Sequence, residues 1–238
     1  MTKLIDLLLI AVIIICAWAG YKKGMIMGIG SILVIVVSLY GGNLLSTAFS
    51  YEVIPAIKPF ADGYMEKKID EDVLEVMGWQ DSGYSVSSLL QQHPESVHEF
   101  CVESFKAMGI YHKTAEILAA EAEEYAEQND TDITAAIVEV LCARITYVLG
   151  FLLAFLLILI VLTVIGNIPN LSFKLPHLNK LNDIGGAALG LITGLMFCFV
   201  IVWALKFAGL VIGNDAFSKT PIARLFLQVD LLSRFIGL

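Results

Sequence analysis

An all-α polytopic membrane protein is predicted, with four transmembrane helices in two hairpins, a helical acidic insertion between them and a C-terminal amphipathic helix. The first observation is where charge is missing. No formally charged residue occurs between Lys23 and Glu52, between Arg144 and Lys174, or between Asp183 and Lys206. Each gap exceeds the ~20 residues that carry a helix across the hydrocarbon core. An unpaired charge in lipid is costly, so a spanning segment must look like this; a soluble core helix rarely runs so long without a polar face. A shorter apolar run, Leu7–Ala19, reaches Leu4 if Asp6 is tolerated near its end. The second observation is composition: 58% hydrophobic, 16% charged and a mean hydropathy of +0.79, far from an ordinary soluble domain.

The first hairpin (residues 1–49) runs from about Leu4 to Phe49 and turns at Tyr21-Lys22-Lys23-Gly24. Lys3, the apolar run and Ala17-Trp18-Ala19 also have the form of a cleavable secretory signal. Lys22-Lys23 would be an unusual mature start, and the next apolar run follows almost at once, so retention as a span is favoured.

The acidic insertion (residues 50–131) opens at Pro55 and Pro59, which discourage a continuous helix. From Tyr51 to Glu139 there are 19 acidic and five basic side chains, a balance of −14 in a chain of net charge −8. That balance argues against nucleic acid and against an anionic lipid surface as its partner. Tyr64–Met77, Ser85–Met108 and Tyr111–Gln128 read as helices, with Pro94 a break in the second.

Stalk and second hairpin occupy residues 132–213. Asn129-Asp130-Thr131-Asp132 supplies short polar side chains that cap free helix amides. The absence of a breaker before Gly150 then predicts one helix of about 35 residues, ~50 Å long, whose first three turns project as a stalk. Gly166–Asp183 is a turn region, and Gly185 begins the fourth span. In residues 214–238, Thr220-Pro221 starts a helix with Ile222, Leu225, Phe226, Val229, Leu232 and Ile236 on one face. It reads as interfacial, with docking on the acidic domain the alternative.

Glycines recur every fourth residue at the start of both second spans: Gly20, Gly24 and Gly28, then Gly186, Gly190 and Gly194. Each set forms a groove, a glycine zipper, into which another helix fits closely. Both follow a short basic turn, and two hairpins of one orientation would be related by an axis along the membrane normal.

These residues resemble the colicin V production protein family. The likeness rests on Ile5-Asp6, on the Gly20–Gly24 turn, and especially on the stretch from Leu175 to Gly190, in which Pro176, Asn179 and Asn182 form the family-motif turn. It covers both hairpins, about 60% of the chain, and leaves out most of Tyr51–Thr131. It implies a bacterial inner-membrane protein tied to toxin (bacteriocin) production or export and to envelope homeostasis. It supplies no catalytic residues.

The residues themselves point away from an enzyme. No histidine lies in a span, since His93, His98, His112 and His177 all fall in connecting segments, so no base is paired with Ser31 at membrane depth. No cofactor-binding fingerprint occurs in a usable context. His98, Cys101, Glu99, Glu103 and His112 lie near one another in sequence, but scattered polar residues on an acidic helix are the commoner reading than a metal site, and none is assigned. The four cysteines form no disulfide framework. Expected partners are membrane lipid, a second copy of the chain, and an envelope or export protein docked on the insertion; nucleic acid is not expected. A small-solute or ion channel or transporter subunit is the rival function. The acidic insertion and both termini are expected outside the cytoplasm. Asp6 and Arg144, each ending an apolar run on the same side, are candidates for an ion pair linking the hairpins, with snorkelling to the headgroups the alternative.

Overall fold

The computed structural model describes residues 2–80, 83–167 and 179–206, together with Thr220, Ala223, Leu225 and Phe226. All regular structure among the described residues is helical, and four helices are long and apolar enough to cross a membrane. In chain order the helices are α1 (Thr2–Lys23), α2 (Met25–Lys68), a π-turn over Ile69–Val73, α3 (Leu74–Val76) and α4 (Val86–Gln92). A 3-10 turn at Pro94–Ser96 precedes α5 (Val97–Ala107), α6 (His112–Asn129), α7 (Ile133–Asn167) and α8 (Asn179–Leu205). The chain is a multi-pass membrane protein. The family-motif residue Pro176 lies outside the described residues. So does almost all of the amphipathic segment at 214–238, although Phe226 packs edge-to-face on Phe199 of α8 at 4.8 Å between ring centroids.

The helices divide into two compact units. One, a four-helix bundle, is built on Met1–Ala48 and Gly150–Leu205. Its outward side chains are apolar: Leu33, Leu153 and Leu157 stand exposed, an arrangement that suits lipid and not water. Its interior at one end is closed by Leu9, Phe151, Cys198 and Trp203, all buried, with Phe151 edge-on to Trp203 at 5.0 Å.

The second unit, built on Phe49–Leu149, is the acidic one, and it has a core of its own. Phe100, Cys101 and Phe105 of α5 are fully buried against Ala115, Leu118, Ala119 and Ala122 of α6. The break expected at Pro94 is present, as is a helix start after Asp132, whose Oδ2 accepts the Thr134 amide at 3.4 Å.

Two expectations fail here. Pro55 and Pro59 do not end the second helix; both lie inside α2. Their missing amides leave the carbonyls of Tyr51 and Pro55 without helical partners, but both residues are on the exposed side. Ile54 beside the first proline, Met65 beyond the second, and Ile69 and Val73 of the π-turn that follows are buried. A helix-interior proline costs ~3 kcal/mol and each buried large apolar side chain returns ~1.5–3 kcal/mol, so packing overrides local propensity. Likewise the first turns of α7 are no bare stalk. Ala136, Ile137, Leu141 and Cys142 are buried in the acidic unit's core, two adjacent pairs about one helical turn apart on one face.

Candidate functional site

The bundle is assembled on glycine. Gly186 and Gly190 of α8 face Gly20 of α1 so closely that a Cβ on Gly20 would strike the Gly186 carbonyl oxygen and come within 2.8 Å of Gly190 Cα. A Cβ on Gly190 would meet the Cys16 carbonyl, and one on Gly194 would lie 3.0 Å from Ile13 Cα. The two glycine sets therefore serve one junction, α1 against α8, with Gly28 seated on Leu189 from α2. A second seam was not read from the sequence. In α2, a Cβ on Gly42 would lie 3.3 Å from the Phe155 backbone, and one on Gly150 of α7 would lie 3.2 Å from Ser46 Oγ. Ser38, Gly42 and Ser46 recur every fourth residue and are all buried, so small-xxx-small spacing was the available clue.

At the turn, Gly24 adopts φ +82°, a conformation that glycine reaches without steric cost. Its neighbour Met25 starts α2, and the Met25 amide donates to Asn182 Oδ1 at 3.0 Å. Asn182 is buried, and a Cβ on Gly24 would collide with its side-chain amide. A residue of α8 thus caps α2 in the way that an N-cap side chain normally caps its own helix. Asn179 opens α8.

Beside this junction, among all four helices of the bundle, lies a cavity of about 380 Å³. Val34, Ile35, Leu159, Leu162 and Phe197 give it apolar walls, and Ser31, Thr163, Thr193 and Lys23 bring polar atoms to it. Ser31 back-bonds to the Met27 carbonyl at 3.0 Å. The Thr193 hydroxyl is buried and has no hydrogen-bond partner. Gly30 and Gly166 also line the cavity, and a Cβ on either would meet nothing within 4 Å.

In the acidic unit the charges are locally organised. Lys58 Nζ bonds Glu139 at 2.7 Å, and Lys68 bonds Asp72 at 2.7 Å. Arg144 does not take the partner expected for it. Its guanidinium forks onto Glu121, Nε to Oε2 at 3.3 Å and Nη2 to Oε1, because α7 carries it past α6 at the partly buried edge of the acidic unit. Asp6 belongs to the bundle, where its Oδ1 is buried and unpartnered. The residues weighed for a metal do not converge. His98 pairs with Glu123 at 2.6 Å, His112 with Glu116 at 3.4 Å, and Cys101 is sealed in the core, where burial and then Glu123 push its thiol up to about 12. Among the described residues no three metal-ligating side chains cluster.

A sequence model of the colicin V production protein family matches residues 108–230. The chain belongs to the colicin V production protein family. The match takes in α6, α7 and α8, so its reach differs from the resemblance read in both hairpins: it includes the last helix of the acidic insertion and leaves out the first hairpin, α1 and α2. Comparison with curated proteins and with solved structures found no match.

Proposed function

We propose that this chain is an accessory scaffold of the bacterial inner membrane that supports toxin (bacteriocin) production or export and envelope homeostasis, without enzymatic activity of its own. The observation that carries the reading is the acidic unit. Its carboxylates are displayed on helices with a fully buried core of Phe100, Phe105 and Leu118, a preorganised surface for a basic partner rather than a loose tail. In this reading the partner is an envelope or export protein, and the acidic unit and both termini lie outside the cytoplasm.

The test is secretion. Glu116 and Glu127 are exposed on α6, and charge reversal there leaves the core untouched. Glu116→Lys with Glu127→Lys should abolish support of toxin secretion while the protein still accumulates in the membrane. Undiminished secretion rejects docking through this unit. Sidedness is read with an impermeant maleimide on spheroplasts carrying Gln91→Cys in a Cys101→Ser background, since Gln91 is exposed and Cys101 is not.

The alternative of a channel or transporter subunit is favoured by one feature, the cavity among the four helices. Ion or solute flux from purified protein in liposomes, above that of empty vesicles, would establish it.

A further inference from the structure

The cavity of the bundle has the chemistry of a lipid site. We infer that it holds one acyl chain of an anionic phospholipid drawn from the surrounding bilayer, with Lys23 on the phosphate and the Thr193 hydroxyl donating to an ester carbonyl.

Five observations lead there. The walls are apolar side chains of α2, α7 and α8, which would exclude a small hydrophilic solute but receive a hydrocarbon chain. At about 380 Å³ the space falls near the lower end of ordinary ligand pockets, matching one chain and not a whole two-chain lipid. Lys23 lines it from the last residue of α1, where a span ends and headgroups begin. The neighbouring Lys22 is turned away onto the Trp18 ring, at 4.0 Å from its centroid, so the two lysines are not interchangeable.

The fourth observation is Thr193. In a helix a threonine hydroxyl usually bonds a carbonyl of the preceding turn, as Ser31 and Ser38 do here on the cavity-side helix α2. Thr193 does not; its oxygen is buried and unpartnered, a state that carries a desolvation cost until a partner arrives. It lies seven residues beyond Gly186, or about 10 Å further along α8. That is deeper than the level of a phosphate and suited to an ester carbonyl. Finally, Gly30 and Gly166 place no side chain in the lined space, so the chain's path is unobstructed.

Native mass spectrometry of the purified full chain, titrated with phosphatidylglycerol or phosphatidylcholine, tests the assignment. The parent should retain one phosphatidylglycerol in preference to phosphatidylcholine. Lys23→Gln should weaken that preference about five-fold, the factor one lysine's attraction to an anionic surface supplies, whereas Lys22→Gln should leave it within two-fold, roughly the scatter expected of a remote charge. Gly30→Phe should abolish retention of either lipid, and because its Cβ meets no neighbour its melting temperature without lipid should match the parent's. Thr193→Val, nearly the same shape, should reduce retention without altering the headgroup preference. Equal retention of the two lipids, equal effects of Lys22→Gln and Lys23→Gln, or full retention by Gly30→Phe would each overturn the proposal. The result is independent of the secretion phenotype, so the scaffold reading and the lipid site stand or fall separately.

Discussion

Arg144 holds Glu121 through both carboxylate oxygens, from two nitrogens of its guanidinium. The side chain of Arg144 is mostly buried and that of Glu121 about one-third exposed. A planar fork of this kind is more specific than a point charge, but partial exposure screens it. Arg144→Gln and Glu121→Gln should therefore each destabilise the acidic unit, with a coupling energy of about 1 kcal/mol in a double-mutant cycle. Asp6→Asn combined with Arg144→Gln should be additive. Thermal unfolding of the three single and two double variants and the parent decides this, and coupling between Asp6 and Arg144 would restore the hairpin-linking pair.

Glycine substitutions should sort by backbone clearance. Gly186→Leu and Gly190→Leu place side chains on opposing main chain, where nothing flexible can yield. Each should cost at least about 1–3 kcal/mol, as overpacking does, and lower the melting temperature in detergent. Gly63→Leu, where a Cβ meets nothing within 4 Å, is the matched control. Equal losses at Gly63 and Gly190 would mean that helix propensity rather than close approach explains the effect.

Cys101 should behave as a sealed thiol. Its pKa rises from the ordinary 9.0 to about 12 on folding, so the folded protein holds the proton more tightly than the unfolded chain. The linkage sign follows: this contribution is complete below about pH 9 and is lost as pH climbs toward 12. The stability difference between the parent and Cys101→Ala should shrink across that interval. Below it, the parent's thiol should resist alkylation until the acidic unit unfolds.

Asn182→Leu should remove the acceptor for the Met25 amide and cost about 1 kcal/mol, as loss of an N-cap does. Asn182→Asp keeps an acceptor and sets a negative charge at the start of α2, where the helix dipole favours it. It should therefore recover most of the loss in the same melting assay. If Leu and Asp variants are equally destabilised, the crowding against Gly24, not the hydrogen bond, is what Asn182 supplies.

The spans were legible because lipid penalises charge residue by residue, and a gap such as that from Lys23 to Glu52 records the penalty directly. Gly20, Gly186 and Gly190 were legible as groove-formers by their fourfold spacing, although spacing could not say that the two sets meet each other. The seam of Ser38, Gly42 and Ser46 carries the same spacing but mixes serine with glycine, and so escaped notice. Pro55 and Pro59 misled because a proline's cost is local, whereas the burial of Ile54, Met65 and Ile69 that outweighs it depends on distant helices. Arg144 misled for a related reason. Ending an apolar run looks like marking a membrane boundary, yet α7 places that residue beside α6 in the acidic unit, paired with Glu121. The cavity left no trace in sequence, since Lys23, Ser31, Thr163 and Thr193 converge only when four helices assemble.

The hydrogen bond from Met25 to Asn182 spans 157 positions, and this has a meaning for biogenesis. A ribosome adding ~5–20 residues per second emits α1 and α2 many seconds before Asn182 exists. Throughout that interval the inter-helical turn waits with an uncapped amide beside a left-handed glycine, and α1 has no α8 on which to close. The first hairpin therefore enters the bilayer as an unfinished insertion intermediate, and the last span acts as the clasp that converts it into a native structure. A chain truncated before α8 should insert its early helices yet be surrendered to membrane quality-control proteolysis.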